Sequence, residues 1–308
     1  TEAFNLQTPS IFIDLRLPVN RPSEHLKKCK SLSKCSSFDL MLLGRQHCFA
    51  GYSLPVPDKS GGPLHFIRHH IIDWNYHPAF PRNRPNRWFI THDLKKQREI
   101  HGNEAVASTF KEFSFIRDEN NLPVYYERWA RHSGDCGGRK YLAMRRASGC
   151  PIKAKELGQI VKPEALFVVV GNHFALAVDR PQPQLLPGER GPGGPAHVDY
   201  ALSQGEREEA LNYLSLQGSY GELWSTNSNS NKSAFRPSWE VTRSTQPWRE
   251  GSNMFSVRDN VVLHWSSHDI LSKISWNGDE WDVLECSFLP SELNAMFPVK
   301  NKNISSKL

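Results

Sequence analysis

Apolar and polar residues alternate along Ile11-Phe12-Ile13-Asp14-Leu15-Arg16-Leu17. In a strand, successive side chains point to opposite faces. Ile11, Ile13, Leu15 and Leu17 therefore share an aliphatic face, and Phe12, Asp14 and Arg16 share the other. Either that second face meets water, or it lines a cavity that holds ionised groups in place. Downstream, Ser36 and Ser37 precede the apolar run Phe38 to Leu43, which predicts a short capped helix. Strands are predicted over Cys48–Leu54, Leu64–Trp74, Arg87–Asp93, Glu104–Glu112, Phe113–Arg117, Val124–Arg131, Lys140–Arg146, Ala165–Val170 and His173–Val178. Asp118 to Asn121 reads as a turn, and Gly171-Asn172 as a tight hairpin.

Short strands at this spacing predict a mainly β chain, built as a closed or nearly closed antiparallel barrel or as a sandwich. A helical insertion after the first strand is, by analogy, the layout of calycin-like or lipocalin-like ligand barrels. Residues 182–198 are dominated by proline and glycine, which remove donors and add chain entropy. They predict a linker between a barrel at 1–181 and a smaller β-rich domain at 199–308. That second part opens on Ser203-Gln204-Gly205-Glu206, read as a capping box, with Ala210, Leu211, Tyr213 and Leu214 on the helix that follows. Ser225–Ser233 reads as a polar loop. Strands are predicted over Ser238–Thr245, Asn260–Trp265, Ile270–Trp276 and Glu280–Cys286, with Asn277-Gly278 as a hairpin turn.

Composition narrows the classes. The chain has 308 residues, 38% of them hydrophobic and 11% aromatic, enough for a sizeable core. No run approaches the ~18 consecutive apolar residues of a membrane span. The opening Thr1 to Gln7 lacks the basic-then-apolar order of a signal peptide, so the expectation is a cytoplasmic protein. The net charge of +6 is spread along the sequence. Nucleic-acid binders concentrate their basic groups on one face, so nucleic acid is set aside as a partner. Six cysteines without a CxxC pair read as reduced thiols, with a Cys136–Cys150 bridge as the alternative. Thirteen histidines include no HExxH or HxH pattern, so neither a metal nor a cofactor is assigned.

Several segments resemble a known family. Leu6-Gln7-Thr8-Pro9-Ser10, Asp14-Leu15-Arg16-Leu17-Pro18 and Arg21-Pro22 resemble the opening of an uncharacterised bacterial β-barrel family. Phe49-Ala50-Gly51, Tyr126 to Trp129, Val170 to Phe174 and Ser244 to Gly251 are similar to segments of the same family, spread at low density over nearly the whole chain. More distantly, the order of motifs is similar to that of a fungal casein-kinase-interacting β-barrel protein. The resemblance implies a two-part β-barrel fold and no particular activity. The Lys- and Cys-rich segment from Lys27 to Lys34 departs from it and reads as an insertion.

Four constellations carry candidate chemistry. Asp14 and Arg16 form either a structural ion pair or an anion anchor with an orienting carboxylate. Tyr125, Glu127, Trp129 and Arg131 share one face of a strand, and aromatic neighbours would desolvate Glu127 and raise its pKa toward general acid–base use; the alternative is a cross-strand pair with an arginine. His92, His173 and His264 lie in strands or at their ends. Trp248 and Arg249 sit on a glycine-ended turn that either covers a ligand or staples two parts of the chain.

The resulting expectation is a binder of a small, partly apolar, anionic ligand, held by Arg16, Trp74, His92, Tyr125, Trp129, Trp248 and Arg249. One alternative is a cofactor-independent isomerase, cyclase or lyase with Glu127, His173 and Asp14 as catalytic groups. Another is a protein-interaction module displaying Trp276 and Trp281. No GxSxG, P-loop or dinucleotide fingerprint occurs.

Overall fold

The computed structural model describes residues 1–56, 65–75, 86–92, 109–114, 117–122, 124, 126–130, 140–146, 162–180, 195–224, 237–255, 259–266 and 270–297. The chain is mainly β, as the alternation predicts. It divides into two compact units. One comprises Thr1–Ala50, Ile71–Pro81 and Lys140–Leu308; the other comprises Gly51–His70 and Arg82–Arg139.

Fifteen strands are described: β1 Glu2–Gln7, β2 Ile11–Leu17, β3 His47–Val56, β4 His65–Asp73, β5 Asn86–His92, β6 Thr109–Ser114, β7 Tyr126–Ala130, β8 Tyr141–Arg146, β9 Ala165–Val170, β10 His173–Val178, β11 Gln217–Glu222, β12 Glu240–Ser244, β13 Val261–Trp265, β14 Leu271–Trp276 and β15 Asp279–Cys286. The first seven hydrogen-bond in chain order, and the other eight run β12-β11-β10-β9-β8-β15-β14-β13. The described helices are α1 Ser23–Lys27, α2 Ser37–Leu43, α3 Pro195–Ser203, α4 Arg207–Leu214 and α5 Pro290–Met296.

Neither sheet closes on itself, so the barrel expectation, and the calycin-like or lipocalin-like layout with it, gives way to open sheets. The reason is visible in the burial of β2, where both faces are covered: Phe12 and Asp14 are as buried as Ile11 and Leu15. A layered sheet achieves that without closure. Much of the proline- and glycine-rich stretch lies outside the described residues. Strands from before it (β8 to β10) and after it (β11 to β15) share one sheet, and all eight belong to the larger unit.

Within the larger unit, Leu6, Ile11, Ile13, Leu15, Leu17, Cys48 and Ala50 are buried. The face they form on β1 to β3 packs on the small-residue face of β9 to β11. There Gly218 lies so close to its neighbours that an added Cβ would sit 2.8 Å from Cys48 Sγ and 2.9 Å from Leu15 Cδ1. The reverse face of that second sheet carries Phe167, Phe174, Leu176, Val241, Ile274 and Trp281 into a core shared with Trp239, Phe255 and Phe297. Trp281 is fully packed there and Trp276 packs against Phe255 and Trp281, so these two tryptophans are core residues and not a displayed contact surface.

The turns obey the chemistry of their residues. Asn277 and Gly278 both adopt positive φ between paired Trp276 and Asp279, the conformation a two-residue primed turn demands. Gly171 does the same between Val170 and His173. Helix α2 has the Ser36 cap read from sequence, with Asp39 reciprocating. The capping box expected at Ser203 to Glu206 is not formed. Ser203 instead ends α3, and α4 starts after Glu206 without a side-chain cap. β6 is one strand across the expected break at Glu112–Phe113. The expected loop at 225–233 lies outside the described residues.

Arg180, two residues past β10, is 1% exposed and lies against two aromatic rings, its guanidinium carbon 5.7 Å from the Trp74 centroid and 4.0 Å from that of Tyr213. It donates to Tyr213 O at 2.6 Å, Asp73 O at 3.2 Å and Trp74 O at 2.7 Å. Burial lowers its pKa from the ordinary guanidinium value. Truncation would leave those carbonyls without this donor and open a cavity. Arg180→Ala is therefore expected to lower unfolding free energy by about 4 kcal/mol, read from urea denaturation. Gly221 meets Phe174 so closely that an added Cβ would lie 2.5 Å from the ring. Gly221→Ala is expected to cost about 1–3 kcal/mol in the same assay.

Candidate functional site

Alternation puts Asp14 and Arg16 on the face of β2 that does not pack on the second sheet. In the register of β1 and β2, Asn5 stands opposite Asp14 and Ala3 opposite Arg16. Asp14 is 1% exposed and Arg16 17%. Arg16 Nε donates to Asp14 Oδ1 at 3.0 Å and Nη2 to Oδ2 at 2.7 Å, a bidentate fork that offsets the cost of burying the carboxylate.

The neighbouring strand extends the cluster. His47 and Phe49 lie on the face of β3 opposite to Cys48 and Ala50, two residues apart and stacked at 5.8 Å. The Arg16 guanidinium lies 5.5 Å from the Phe49 centroid. Burial lowers the His47 pKa from 6.5, and the Arg16 charge adds to that; a side-chain hydrogen bond with Asn75 and the Asp14 charge act the other way. The imidazole is thus held neutral. Among the described residues, its buried Nδ1 meets no hydrogen-bond partner. The arrangement offers one fixed cation, one neutral ring nitrogen and two apolar rings, a set suited to an anion with an apolar body.

The other expected residues of this unit lie elsewhere. Trp74 is fully buried, donates to Gly44 O at 3.4 Å and helps hold Arg180. His173 is 8% exposed; its Nδ1 pairs with Tyr220 Oη at 2.9 Å and the two rings stack. Tyr220 in turn packs on Phe4, which flanks the aliphatic side of β2. His173 and Asp14 therefore lie on opposite sides of the β1–β2 layer, and this acid–base pair is not assembled.

Trp248 and Arg249 are half-buried in a 3-10 turn, and burial lowers the Arg249 pKa. That turn is a staple. Glu250 forms an ion pair with buried Arg21, and Arg21 also donates to Gln46 Oε1 at 2.8 Å and to Ser244 O at 2.6 Å.

No protein-family model matches the chain, and no curated protein matches it. Among solved structures, an uncharacterised protein of Saccharomyces cerevisiae is similar over 93% of this chain and 92% of that one, with 11% identity and a TM-score of 0.44. A likeness at that level carries no argument about fold or function.

In the smaller unit, Glu127 is half-buried and Trp129 buried, both on β7. The register sets Glu112 opposite Glu127 and Phe110 opposite Trp129. The backbone of His92 ends β5, its side chain lies outside the described residues, and so does Tyr125. Among the described residues, no group of three or more His, Cys, Asp or Glu side chains is placed to hold a metal ion, and no helix is long and apolar enough to cross a membrane. The described cysteines are unbridged; Cys136 and Cys150 lie outside the described residues.

His47 and Phe49 were missed by the sequence reading, which starts that strand at Cys48. Phe49 lies inside that predicted strand, and beginning it one residue earlier adds His47 on the same face.

A histidine kept neutral in the folded state gives stability that is present above its ordinary pKa of 6.5 and lost as pH falls below it, because the unfolded chain then binds the extra proton. The urea midpoint is expected to drop between neutral pH and pH 5 in the native chain and to drop less in His47→Gln. Asp39 and Asp279, both held below the ordinary 3.8 despite burial, lose their contributions only in more acidic solution and do not mask the effect.

Proposed function

We propose that this chain binds a small, partly apolar anion on the β2–β3 face, with Arg16 as the cation that meets its charge. The observation that carries the reading is the buried His47 Nδ1 without a partner, beside a guanidinium held in plane by Asp14. Buried polar atoms are nearly always hydrogen-bonded, so an orphan beside a fixed charge marks a place for a ligand group. Phe49 supplies an apolar surface to the same spot. Asp14 positions Arg16, and its own oxygens are taken up by that task. The reading is accordingly one of binding, on an open sheet and not inside a barrel.

Native mass spectrometry of the purified chain is expected to show a retained small molecule, or thermal unfolding in a panel of aromatic and aliphatic carboxylates to show a midpoint raised by several degrees. Arg16→Lys keeps a charge beside Asp14 but loses the fork, and is expected to weaken binding about tenfold or more while the chain stays folded. A chain that carries nothing and is shifted by no carboxylate at millimolar concentration would rule the reading out.

A further inference from the structure

The basic segment that follows α1 brings two thiols together. Cys29 is half-buried just beyond the end of α1, and Cys35 is buried immediately before the Ser36 cap of α2. Between them Lys30 adopts φ 60°, a left-handed conformation that folds the chain back on itself. Cys35 N donates to Leu32 O at 3.1 Å and its Sγ to Ser31 O at 3.5 Å. Cys29 Sγ lies 4.0 Å from Asp39 Oδ2. That oxygen also accepts from Ser36 N at 2.9 Å and Ser36 Oγ at 2.7 Å. The sulfur of Cys29 and the residue after Cys35 thus converge on a single carboxylate oxygen. Burial pushes the Cys35 thiol up to about 12, and the Cys29 side chain beside it adds to that. From α4, Arg207 donates to Ser33 O at 3.2 Å and to Cys35 O, holding this side of the loop in place.

We propose that Cys29 and Cys35 form a reversible dithiol–disulfide pair oxidised by hydroperoxides. Cys29 has the solvent access that oxidation requires and attacks first. Its sulfur displaces water from hydrogen peroxide and becomes a sulfenic acid. The Cys35 sulfur then attacks the Cys29 sulfur; the S–O bond breaks, and the departing hydroxide leaves as water with the Cys35 proton. Two thiols and one peroxide give one disulfide and two waters, so two electrons pass from sulfur to oxygen. A small-molecule dithiol reverses the change by exchange. Asp39 keeps its bonds to Ser36 throughout, so the bridge closes beside the α2 cap without dismantling it.

The test is made on the folded full-length chain, treated with hydrogen peroxide near stoichiometry, alkylated and digested. The expected product is a peptide pair joining Cys29 to Cys35, lighter by two hydrogens and restored by dithiothreitol. In Cys35→Ser, a sulfenic acid at Cys29 is expected to be trapped by dimedone, whereas in Cys29→Ser the remaining Cys35 is expected to stay unmodified. Recovery of both thiols as separate alkylated residues, or of Cys29 as sulfinic acid with Cys35 still free, would overturn the pairing. The native chain alone decides this should either variant fail to fold.

Discussion

A single guanidinium ties the larger unit together. Arg180 is buried because its surroundings suit a planar cation: two aromatic rings, themselves set edge to face, lie against it, and carbonyl oxygens meet its edges. An ion of this size taken from water costs several kcal/mol unless its donors are satisfied. Satisfying them fixes three separate pieces of chain at once. The end of β10 is held to the turn after β4 through Asp73 and Trp74, and to α4 through Tyr213. Tyr213 adds its own hydroxyl bond to Trp74 O, and Trp74 N reaches Cys48 O at 3.0 Å on β3. The sheet carrying the candidate site and the sheet that supports it are thereby held in one arrangement.

That arrangement determines which side chains are available for chemistry. Once the aliphatic side of β1 to β3 is committed to the second sheet, at a distance so short that only glycine fits at position 218, the alternate residues have one place left to go. Phe12, Asp14, Arg16, His47 and Phe49 must share the reverse side. Arg16 meets buried Asp14 with two donors, and the same cation adds to the burial that lowers the His47 pKa. The electrostatics of the site follow from packing on the other side of a single layer of strands.

Much of this was legible from alternation and turn chemistry. The strand from Ile11 to Leu17, the α2 cap at Ser36 and the hairpins at 171–172 and 277–278 each carry their signal within a few residues. What was not legible depends on residues far away in sequence. β1 has a weak pattern of its own and is a strand because β2 pairs with it from Glu2 to Gln7. Helix α3 begins at Pro195, a residue that reads as part of a breaker-rich stretch but is well suited to a first helical turn. Arg180 borders that stretch, and nothing local announces Trp74 and Tyr213 as its partners. The Asp14–Arg16 pair was visible as a puzzle; its solution required knowing that β3 brings an imidazole and a phenyl ring beside it.

The placement of β8 has a consequence for synthesis. In the finished sheet it lies between β9, its near neighbour in sequence, and β15, whose Asp282 stands opposite Arg145 and whose Cys286 stands opposite Leu142. During synthesis β8 has β9 to pair with before β15 is made, and until then its other edge carries unpaired backbone donors and acceptors. A bare edge of that kind is an invitation to foreign strands. Asp282 opposite Arg145, and Asp279 paired with Arg146, give that edge a charge pattern that β15 matches and an uncharged strand does not.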